Sequence, residues 1–301
     1  MFSHEALLYE GPDGLLAGTL PFIREGLERN EPILVAVGAQ KIARLREALG
    51  VDAERVEFAD MAVLGHNPAR IIPAWHDFLA RHGRPVRGIG EPIWAGRSGP
   101  ELIECQLHEA LLNVAFAETQ GFMLLCPYDV TTLDDSVVHE ACCSHPTVNE
   151  QPSHAFRAAE RLLAPFESPL PPPPAQARLL GFELDSIGEV RRLTRQCAAE
   201  LEGERAEDLV LAVAELAANS IRHGGGRGIL RIWHDGDTLV CEVRDRGRIR
   251  DPLAGRHVPD DEWLGGRGLW IANAVCDLVQ VRSTAQGTAV RLHMATKPTI
   301  S

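Results

Sequence analysis

Positive charge is scarce in this chain of 301 residues. Lysine and arginine number 30 against 42 aspartate and glutamate residues, which gives a formal net charge of −12 with histidine neutral. Proteins that bind DNA without sequence preference, or anionic membranes, rely on lysine and arginine side chains that neutralise phosphates. The charge balance therefore argues against direct binding to nucleic acid or to a membrane surface.

The features of a membrane protein or a secreted protein are also missing. No apolar run approaches the roughly 18 residues that are needed to span a bilayer. The first residues, Met1 to Glu5, do not resemble the start of a signal peptide. The seven cysteines are odd in number and scattered, so they indicate reduced thiols rather than a disulfide framework. We therefore expect a cytoplasmic protein.

The usual glycine-rich phosphate-binding motifs do not occur in the first half of the chain. No Gly-x-Gly-x-x-Gly follows the first predicted strand, and Gly-x-x-x-x-Gly-Lys-Ser/Thr occurs nowhere. This half instead alternates short apolar runs, such as Ile33 to Val37, with helical patterns. Continuous apolar runs are typical of strands that are buried on both faces of a parallel sheet. The predicted fold class is therefore α/β with a parallel sheet.

Acidic residues follow four of the predicted strands in this half. They are Glu10, Asp60, Glu91 and Asp129. The carboxyl ends of parallel strands meet at one edge of a sheet, where ligands bind in open α/β folds, so these residues could line a small-molecule pocket. The alternative is that they cap the helices or turns that follow the strands.

Two groups of residues suggest more specific chemistry on weaker grounds. His139, Cys142, Cys143 and His145 combine thiol and imidazole donors, which suit zinc or copper, but their spacing matches no zinc-ribbon or zinc-finger pattern. The dipeptide His108-Glu109, on a predicted helix, is similar to the His-Glu pair of sensor kinase phosphoacceptors. Neither pattern is specific enough to carry a function.

The first half contains seven short blocks of a recognisable kind. They are HEALLYE (4–10), Asp60-Met61, NPARIIPAW (67–75), RGIGEPIW (87–94), QLHEALLN (106–113), LLCPYD (124–129) and SHP (144–146). Together they resemble the MEDS sensory domain of bacterial regulators over about residues 3–150. The resemblance implies a sensory domain that binds a small organic molecule whose identity is unknown.

A proline run divides the chain. The segment from Ser153 to Pro165 has a helical pattern, and the run from Ser168 to Pro174 follows it. Such a run cannot join a helix or a sheet, and it favours an extended polyproline II spacer. The expected organisation is a sensory domain at 1–167, a linker at 168–177 and a second domain at 178–301.

The longest helical pattern of the second half runs from about Arg205 to His223. Its apolar residues recur at three- and four-residue steps, which indicates one buried stripe. Glu215, Asn219 and His223 are four residues apart, so they share a different face of the same helix. With the strand patterns around it, this helix predicts an α+β sandwich in which three helices cover one face of a mixed sheet.

Three further stretches complete a pattern that is typical of a nucleotide site. Asp245-Arg246-Gly247 ends an alternating run, Gly265-Gly266-Arg267-Gly268 begins a helix, and Gly287-Thr288 precedes the last strand. The polar segment between them, Arg248 to Leu264, is predicted to be a mobile loop. Glycine at a helix start lets backbone amides approach phosphate oxygens.

The second half resembles the GHKL ATPases and, among them, the bacterial anti-sigma-factor serine kinases. Four blocks carry the resemblance over about residues 178–296, and they match in order the N box and the three glycine boxes of that family. This chain has Ile249 where the family commonly has a second glycine, at the hinge of the lid over the nucleotide. The blocks are ELAANSIRHG (215–224), DRGRI (245–249), GGRGLWIAN (265–273) and GTAVRL (287–292).

The resemblance implies ATP and Mg²⁺ as cofactors and a role for several residues. Glu215 would polarise the attacking hydroxyl, and Asn219 would hold Mg²⁺. Asp245 would accept a hydrogen bond from the adenine amino group, and Gly247 would let the backbone approach the base. The segment from Arg248 to Leu264 would form the lid. The other expected nucleotide-binding residues are His223, Gly266, Arg267, Gly268, Leu269 and Thr288.

These features together predict a sensory domain that controls an ATP-dependent serine/threonine protein kinase. The expected substrate is a STAS-type antagonist of an anti-sigma factor. A sigma factor is a second expected partner, and a second copy of the chain in a homodimer is a third. The alternatives are a nucleotide-dependent binding switch and a histidine kinase. Glu215 favours catalysis over a switch, and the absence of histidine between Leu179 and Leu201 argues against a phosphoacceptor helix there.

Overall fold

The chain folds as two units, Met1–Leu163 and Ala164–Ser301, and each contains its own sheet. A computed structural model describes residues 1–83, 85–164, 168–259 and 267–297. Within these ranges no helix has the length and apolar character that crossing a membrane would require. The seven cysteines, all of them described, are free thiols.

The first unit contains a seven-stranded sheet with the order β3-β2-β4-β5-β1-β6-β7. All strand pairs formed by the described residues are parallel except the short β6–β7 pair at one edge, which confirms the α/β prediction. The strand β2 is buried along its whole length, as its continuous apolar run predicts. The strands are β1 (Ser3–Tyr9), β2 (Ile33–Val37), β3 (Glu57–Asp60), β4 (Val86–Gly90), β5 (Phe122–Asp129), β6 (Thr147–Val148) and β7 (Gln151–Pro152).

Helices connect these strands. The last of them is shorter than the helical pattern of Ser153 to Pro165 predicts, and that prediction is wrong for the start of the segment. The Ser153 backbone N–H donates to the Pro146 carbonyl, 2.9 Å away, and its hydroxyl donates to the Cys142 carbonyl at 2.6 Å. These contacts hold the chain beside β6 instead of in a helix. The helices are α1 (Gly11–Glu28), α2 (Ala39–Leu49), α3 (Met61–Leu64), α4 (Ile71–His82), α5 (Gly99–Ala115), α6 (Asp135–Ser144) and α7 (Ala159–Leu163).

The second unit is an α+β sandwich, as predicted, with a five-stranded sheet of order β11-β12-β10-β9-β8. The prediction of a mixed sheet is wrong, because every strand pair formed by the described residues is antiparallel. Tight turns join β9 to β10 and β11 to β12, and such short connections permit only antiparallel pairing. The elements are β8 (Arg178–Glu183), α8 (Ile187–Cys197), α9 (Glu204–His223), β9 (Arg227–Asp235), β10 (Thr238–Asp245), α10 (Arg267–Val275), β11 (Leu278–Thr284) and β12 (Gly287–Ala295).

The helix α9 packs its apolar stripe into the core of the second unit. Leu209, Val213 and Leu216 are buried there against apolar residues of the sheet, including Leu230 and Ile232. Full burial of one such side chain contributes roughly 1.5–3 kcal/mol. The apolar stripe therefore fixes the rotation of α9, and with it the direction in which the polar face at 215, 219 and 223 points.

Candidate nucleotide site

A cavity of about 610 Å³ lies in the second unit among the C-terminal half of α9, the start of α10 and the segment that follows β10. Its volume is in the range of small-molecule sites, which is about 300–1,000 Å³. Apolar side chains, including Leu216, Val243 and Val290, form part of its wall. Six of the predicted nucleotide-binding residues also line it: Asn219, His223, Asp245, Gly247, Leu269 and Thr288.

The carboxylate of Asp245 is held in place from two sides. The Ser220 hydroxyl donates to Oδ2 at 2.6 Å, and the Gly247 backbone N–H donates to Oδ1 at 2.7 Å. Each oxygen of an ionised carboxylate can accept about two hydrogen bonds, so both retain the capacity to accept another from a ligand. The Asp245 side chain is therefore an oriented acceptor at the cavity.

Glycine at position 247 is required by close packing rather than by an unusual dihedral angle. A Cβ atom at Gly247 would lie 2.7 Å from the His223 carbonyl oxygen and 2.9 Å from the Gly224 Cα. Any side chain here would push the turn after β10 away from the end of α9. The absence of a side chain thus keeps both segments in contact beside the Asp245 carboxylate.

A chain of hydroxyl groups fixes the turn that contains Ile249. The Thr288 hydroxyl donates to the Gly247 carbonyl at 2.9 Å, the Ser283 and Thr288 hydroxyl oxygens are 2.9 Å apart, and the Ile249 N–H donates to the Ser283 hydroxyl at 2.8 Å. The Ile249 side chain also packs against the core of the unit. At the position where the resemblance leads us to expect a glycine hinge, the chain is anchored.

Glu215 and Asn219 lie one turn apart on α9, and both are half-buried. Neither side chain makes a hydrogen bond or an ion pair with any residue that the structure describes. Asn219 lines the cavity, whereas Glu215 is not part of its lining. An amide oxygen is a hard ligand of the kind that Mg²⁺ accepts alongside water and phosphate oxygens, so the Asn219 side chain fits a magnesium site.

The start of α10 packs directly against these two residues. A Cβ atom at Gly268 would collide with the Asn219 amide and would lie 3.4 Å from the Glu215 Cβ. The close approach brings the N-terminal end of α10 to the same face of α9. Backbone N–H groups at such a helix end can bind an anion.

The remaining predicted residues are placed less centrally. Arg267 is exposed and Gly268 is buried at the start of α10, and neither is part of the cavity lining. His223 lines the cavity, but its side chain is exposed in the last turn of α9. Gly266 lies outside the described residues, so the structure says nothing about its predicted role.

The described part of the predicted lid forms one wall of the cavity. The lining residues of this wall lie between 248 and 259. The rest of the predicted lid, 260–264, lies outside the described ranges. The Asn273 side-chain amide donates to the Gly255 carbonyl at 2.9 Å, which attaches the segment to α10. Gly255 has a φ of +78°, a conformation that favours glycine.

Sequence reasoning missed Ser220, Ser283 and Asn273 as contributors to this site. Ser220 follows Asn219 within the stretch that carries the family resemblance, so its position was a usable signal. Asn273, which ends the block GGRGLWIAN, carries the same signal. Ser283 lies outside the blocks and binds the backbone of the turn, and such a partner is set by tertiary structure rather than by a local pattern.

In the first unit, two of the four acidic residues at strand ends cap turns and helices. Asp60 accepts the Ala62 N–H at the start of α3, and Asp129 accepts the N–H groups of Gly11 and Thr131. The capping interpretation therefore holds for Asp60 and Asp129.

Glu91 differs from Asp60 and Asp129 because it is buried in a polar cluster. It accepts hydrogen bonds from the Tyr9 hydroxyl at 2.9 Å and from the Lys41 ammonium at 2.5 Å. Burial raises the pKa of the Glu91 carboxyl, while the Lys41 charge acts in the opposite direction. This cluster lies at the carboxyl edge of the parallel sheet, where small molecules bind in open α/β folds.

In the comparisons with known proteins, each of the two units matches a different family model. A family model described as MEDS, the MEthanogen/methylotroph, DcmR Sensory domain, matches residues 3–146, and one described as a histidine kinase-like ATPase domain matches residues 181–294. The first unit thus contains a match to the MEDS family and the second a match to the histidine kinase-like ATPase family, and we refer to the matched regions as the MEDS domain and the ATPase domain. Both family resemblances inferred from the sequence are confirmed at this level, and the cavity lies in the ATPase domain.

Individual relatives give less information than the family models. No curated protein matches this chain. Among solved structures, the crystal structure of the RsbU and RsbW domains of Rv1364c from Mycobacterium tuberculosis is similar at 21% identity with a TM-score of 0.30. The match covers 39% of this chain and only 32% of that chain's length.

Proposed function

We propose that the ATPase domain binds Mg²⁺ and ATP in its cavity and transfers the γ-phosphate to a serine or threonine hydroxyl of a partner protein. The observation that carries this proposal is the pair Glu215 and Asn219, one turn apart against the start of α10. Neither side chain is engaged with another residue of the described chain. Together they supply an available base and an available metal ligand beside a nucleotide-sized cavity.

The nucleoside end of the cavity suits adenine. The fixed Asp245 carboxylate can accept a hydrogen bond from the exocyclic amino group of the base. Apolar walls from Leu216, Val243 and Leu269 suit the faces of a purine ring. Gly247, which carries no side chain, lets the backbone approach the edge of the base.

The phosphate end would lie toward Asn219 and the start of α10. Mg²⁺ held here would supply neutralisation of the charge that develops on the phosphates during transfer. The Asn219 amide oxygen would hold the metal, and the backbone N–H groups at the start of α10 would bind the phosphates. Phosphoryl transfer depends mainly on such positioning and charge neutralisation.

The transfer step itself assigns one role to Glu215. The hydroxyl oxygen of the partner forms a bond to the γ-phosphorus while the bond from that phosphorus to the β–γ bridging oxygen breaks, and ADP leaves with the bonding electrons. The Glu215 carboxylate accepts the proton of the attacking hydroxyl. A positioned general base of this kind contributes roughly 10²–10⁴-fold to the rate.

The proposed partners follow from the resemblance of the four sequence blocks to anti-sigma-factor serine kinases. The substrate is a STAS-type antagonist of an anti-sigma factor, and a sigma factor is released or sequestered according to the phosphorylation state of that antagonist. The MEDS domain, by its family, binds a small organic molecule and controls the kinase. We further propose that the protein acts in the cytoplasm and that it forms a homodimer.

The test compares variants of one helix in the full chain. Glu215→Gln should lower phosphate transfer to a co-purified partner by roughly 10²–10⁴-fold and leave ATP affinity nearly unchanged. Asn219→Ala should lose Mg²⁺-dependent ATP binding and transfer together. The matched control is Glu207→Gln, because Glu207 lies on the same helix and pairs with the exposed Arg195. It should transfer phosphate at the wild-type rate.

Two outcomes would reject the proposal. If Glu215→Gln transfers phosphate as fast as the wild type, Glu215 is not the base. If the wild type binds ATP but phosphorylates no protein that co-purifies with it, the domain acts as a nucleotide-dependent binding switch.

A further inference from the structure

Four buried side chains from four separate segments meet in the MEDS domain. They are His4 on β1, Glu109 on α5, Cys126 on β5 and His145 directly after α6. Their exposed fractions are 2%, 1%, 1% and 0%, respectively. One imidazole nitrogen from each histidine, a Glu109 oxygen and the Cys126 sulfur all lie within 4.8 Å of one another. Nothing in the proposed kinase function uses this cluster.

Three of the six distances between these donor atoms are close to those of a tetrahedral site. His4 Nε2 and His145 Nε2 each lie 3.2 Å from Glu109 Oε2, and Cys126 Sγ lies 3.4 Å from His4 Nε2. Donors at roughly 2.0–2.3 Å from one zinc ion in a tetrahedron lie roughly 3.3–3.7 Å apart. These three distances differ from those of a tetrahedral shell by only a few tenths of an ångström, and all four donor atoms lie within 4.8 Å of one another.

Both histidines are held with the same nitrogen directed at the cluster. His145 Nδ1 lies 2.8 Å from the Ala141 carbonyl oxygen, and His4 Nδ1 lies 3.1 Å from Asn113 Oδ1. The orientation of the Asn113 amide is fixed because its Nδ2 donates to the Ser144 carbonyl at 2.8 Å. Each Nδ1 thus faces an acceptor, and the tautomer with its hydrogen on Nδ1 leaves Nε2 free to bind a metal ion. Metal-binding histidines are commonly oriented in this way.

The Glu109 carboxylate has no arginine or lysine partner among the described residues. Its charged or hydrogen-bonding neighbours include the two imidazole rings of His4 and His145. The second oxygen, Glu109 Oε1, is buried and has no hydrogen-bond partner in the same described parts of the chain. A buried carboxylate is strongly destabilised without a compensating cation or hydrogen bonds. A cation among the four side chains would supply the missing partner.

We propose that His4, Glu109, Cys126 and His145 bind a divalent transition metal, Zn²⁺ or a cation with similar preferences. Two imidazole nitrogens, one thiolate and one carboxylate oxygen favour zinc or cobalt over Mg²⁺ or Ca²⁺, which select oxygen ligands. Four protein ligands complete a tetrahedral shell and leave no open position, as in structural zinc sites. The ion would tie β1 and β5 to α5 and to the end of α6.

This site differs from the metal cluster considered on the sequence alone. His145 does not join His139 and Cys143, whose Nε2 and Sγ atoms are 3.6 Å apart. His139 is exposed, and the group that it forms with Glu140 and Cys143 lacks the buried surroundings of the first. The ligands of the proposed site are far apart in the sequence, so their spacing could not indicate them.

The first experiment measures the metal in the intact protein. Full-length chain should be produced in medium supplemented with Zn²⁺ or Co²⁺, purified and analysed by elemental mass spectrometry. We expect about one ion per chain, and we expect the cobalt form to show the intense near-ultraviolet absorption of a thiolate–Co²⁺ bond. Stoichiometric metal would show that a cation occupies the protein, and the charge-transfer band would show that a cysteine binds it.

Variants then assign the site. Cys126→Ser should remove the charge-transfer band and weaken metal binding, measured by competition with a chelator, at least about tenfold, since even loss of an outer-shell partner costs 10–100-fold in affinity. The matched control Cys143→Ser removes a buried thiol of the same domain from the other cluster and should leave both signals unchanged. If Cys126→Ser does not fold, X-ray absorption at the zinc edge of the wild type should show one sulfur and three nitrogen or oxygen scatterers.

Three results would overturn the proposal. The first is wild-type protein without stoichiometric zinc, cobalt, nickel, copper, iron or manganese, which would mean that protons satisfy the cluster. The second is a charge-transfer band that survives Cys126→Ser or disappears in Cys143→Ser. The third is a zinc edge spectrum without a sulfur scatterer.

Discussion

The Ser220 hydroxyl donates a 2.6 Å hydrogen bond to Oδ2 of Asp245. This bond joins the last turn of α9 to the end of β10, and the Ser220 side chain is buried. The Gly247 N–H fixes the other carboxylate oxygen. The acceptor that we assign to adenine is therefore oriented before any ligand arrives.

Ser220→Ala should weaken ATP binding without unfolding the domain. The variant leaves Asp245 Oδ2 without its donor, so the carboxylate loses part of its orientation. A hydrogen bond to a charged group contributes about 1.5–3 kcal/mol. Because water can partly replace the lost Ser220 hydroxyl, we expect ATP affinity to fall by only about 3–10-fold. Isothermal calorimetry measures the effect. Ser186→Ala is the control, because Ser186 precedes α8 and makes no capping hydrogen bond. Equal affinities for both variants would contradict this role of Ser220.

Gly268→Ala should disrupt the phosphate end of the site. Its Cβ atom would collide with the Asn219 amide, so α10 must shift away from α9 or Asn219 must leave its position. We expect loss of most Mg²⁺-dependent ATP binding, measured with and without Mg²⁺. The control is Gly188→Ala in α8, where a Cβ atom would meet no other atom within 4 Å. In an open helical position this exchange should be neutral or stabilising by up to about 1 kcal/mol. Unchanged binding in Gly268→Ala would show that the site lies elsewhere.

The proposed domain boundary predicts the behaviour of two fragments. Fragments 168–301 and 176–301 should both fold and bind ATP as the full chain does, because Leu170 is the one buried residue of the proline run at 168–174. The shorter fragment loses the contact in which the Arg291 guanidinium donates to the Pro171 carbonyl, so it should melt at a somewhat lower temperature. Circular dichroism and calorimetry measure the two properties. If fragment 176–301 is unfolded, the linker is part of the domain core.

Much of the geometry of the candidate nucleotide site could be predicted because it depends on local patterns. The four-residue spacing of Glu215 and Asn219 places them on one face of any helix, and the apolar stripe of α9 decides which face is buried. Glycine next to a helix start likewise indicates close backbone contact. These features can be inferred without knowing which elements are neighbours in the fold. In the structure, Glu215 and Asn219 share one face of α9, and Gly268 makes the close contact at the start of α10.

The rest of the site depends on pairings that no local pattern encodes. Thr288 lies opposite Asp245 only because β12 pairs with β10 in that register. The sequence shows that Ile249 replaces a glycine, but it does not show that Ser283 anchors its N–H. Similarly, His4 and Cys126 meet because β1 and β5 are adjacent strands, although their sequence positions are far apart.

The central claim, that the cavity of the ATPase domain is an ATP site with Asp245 as the adenine acceptor, is tested most directly by calorimetric titration of Mg·ATP into the wild type and Asp245→Asn. An amide can still accept the Gly247 N–H with its oxygen, but its NH₂ group cannot accept from the adenine amino group or from Ser220. We expect one site per chain in the wild type and more than tenfold weaker binding in Asp245→Asn, about 1.5–3 kcal/mol. The control Asp237→Asn, in the exposed turn between β9 and β10, should bind as the wild type does. No binding of ATP to the wild type, or equal affinity in Asp245→Asn, would contradict the account.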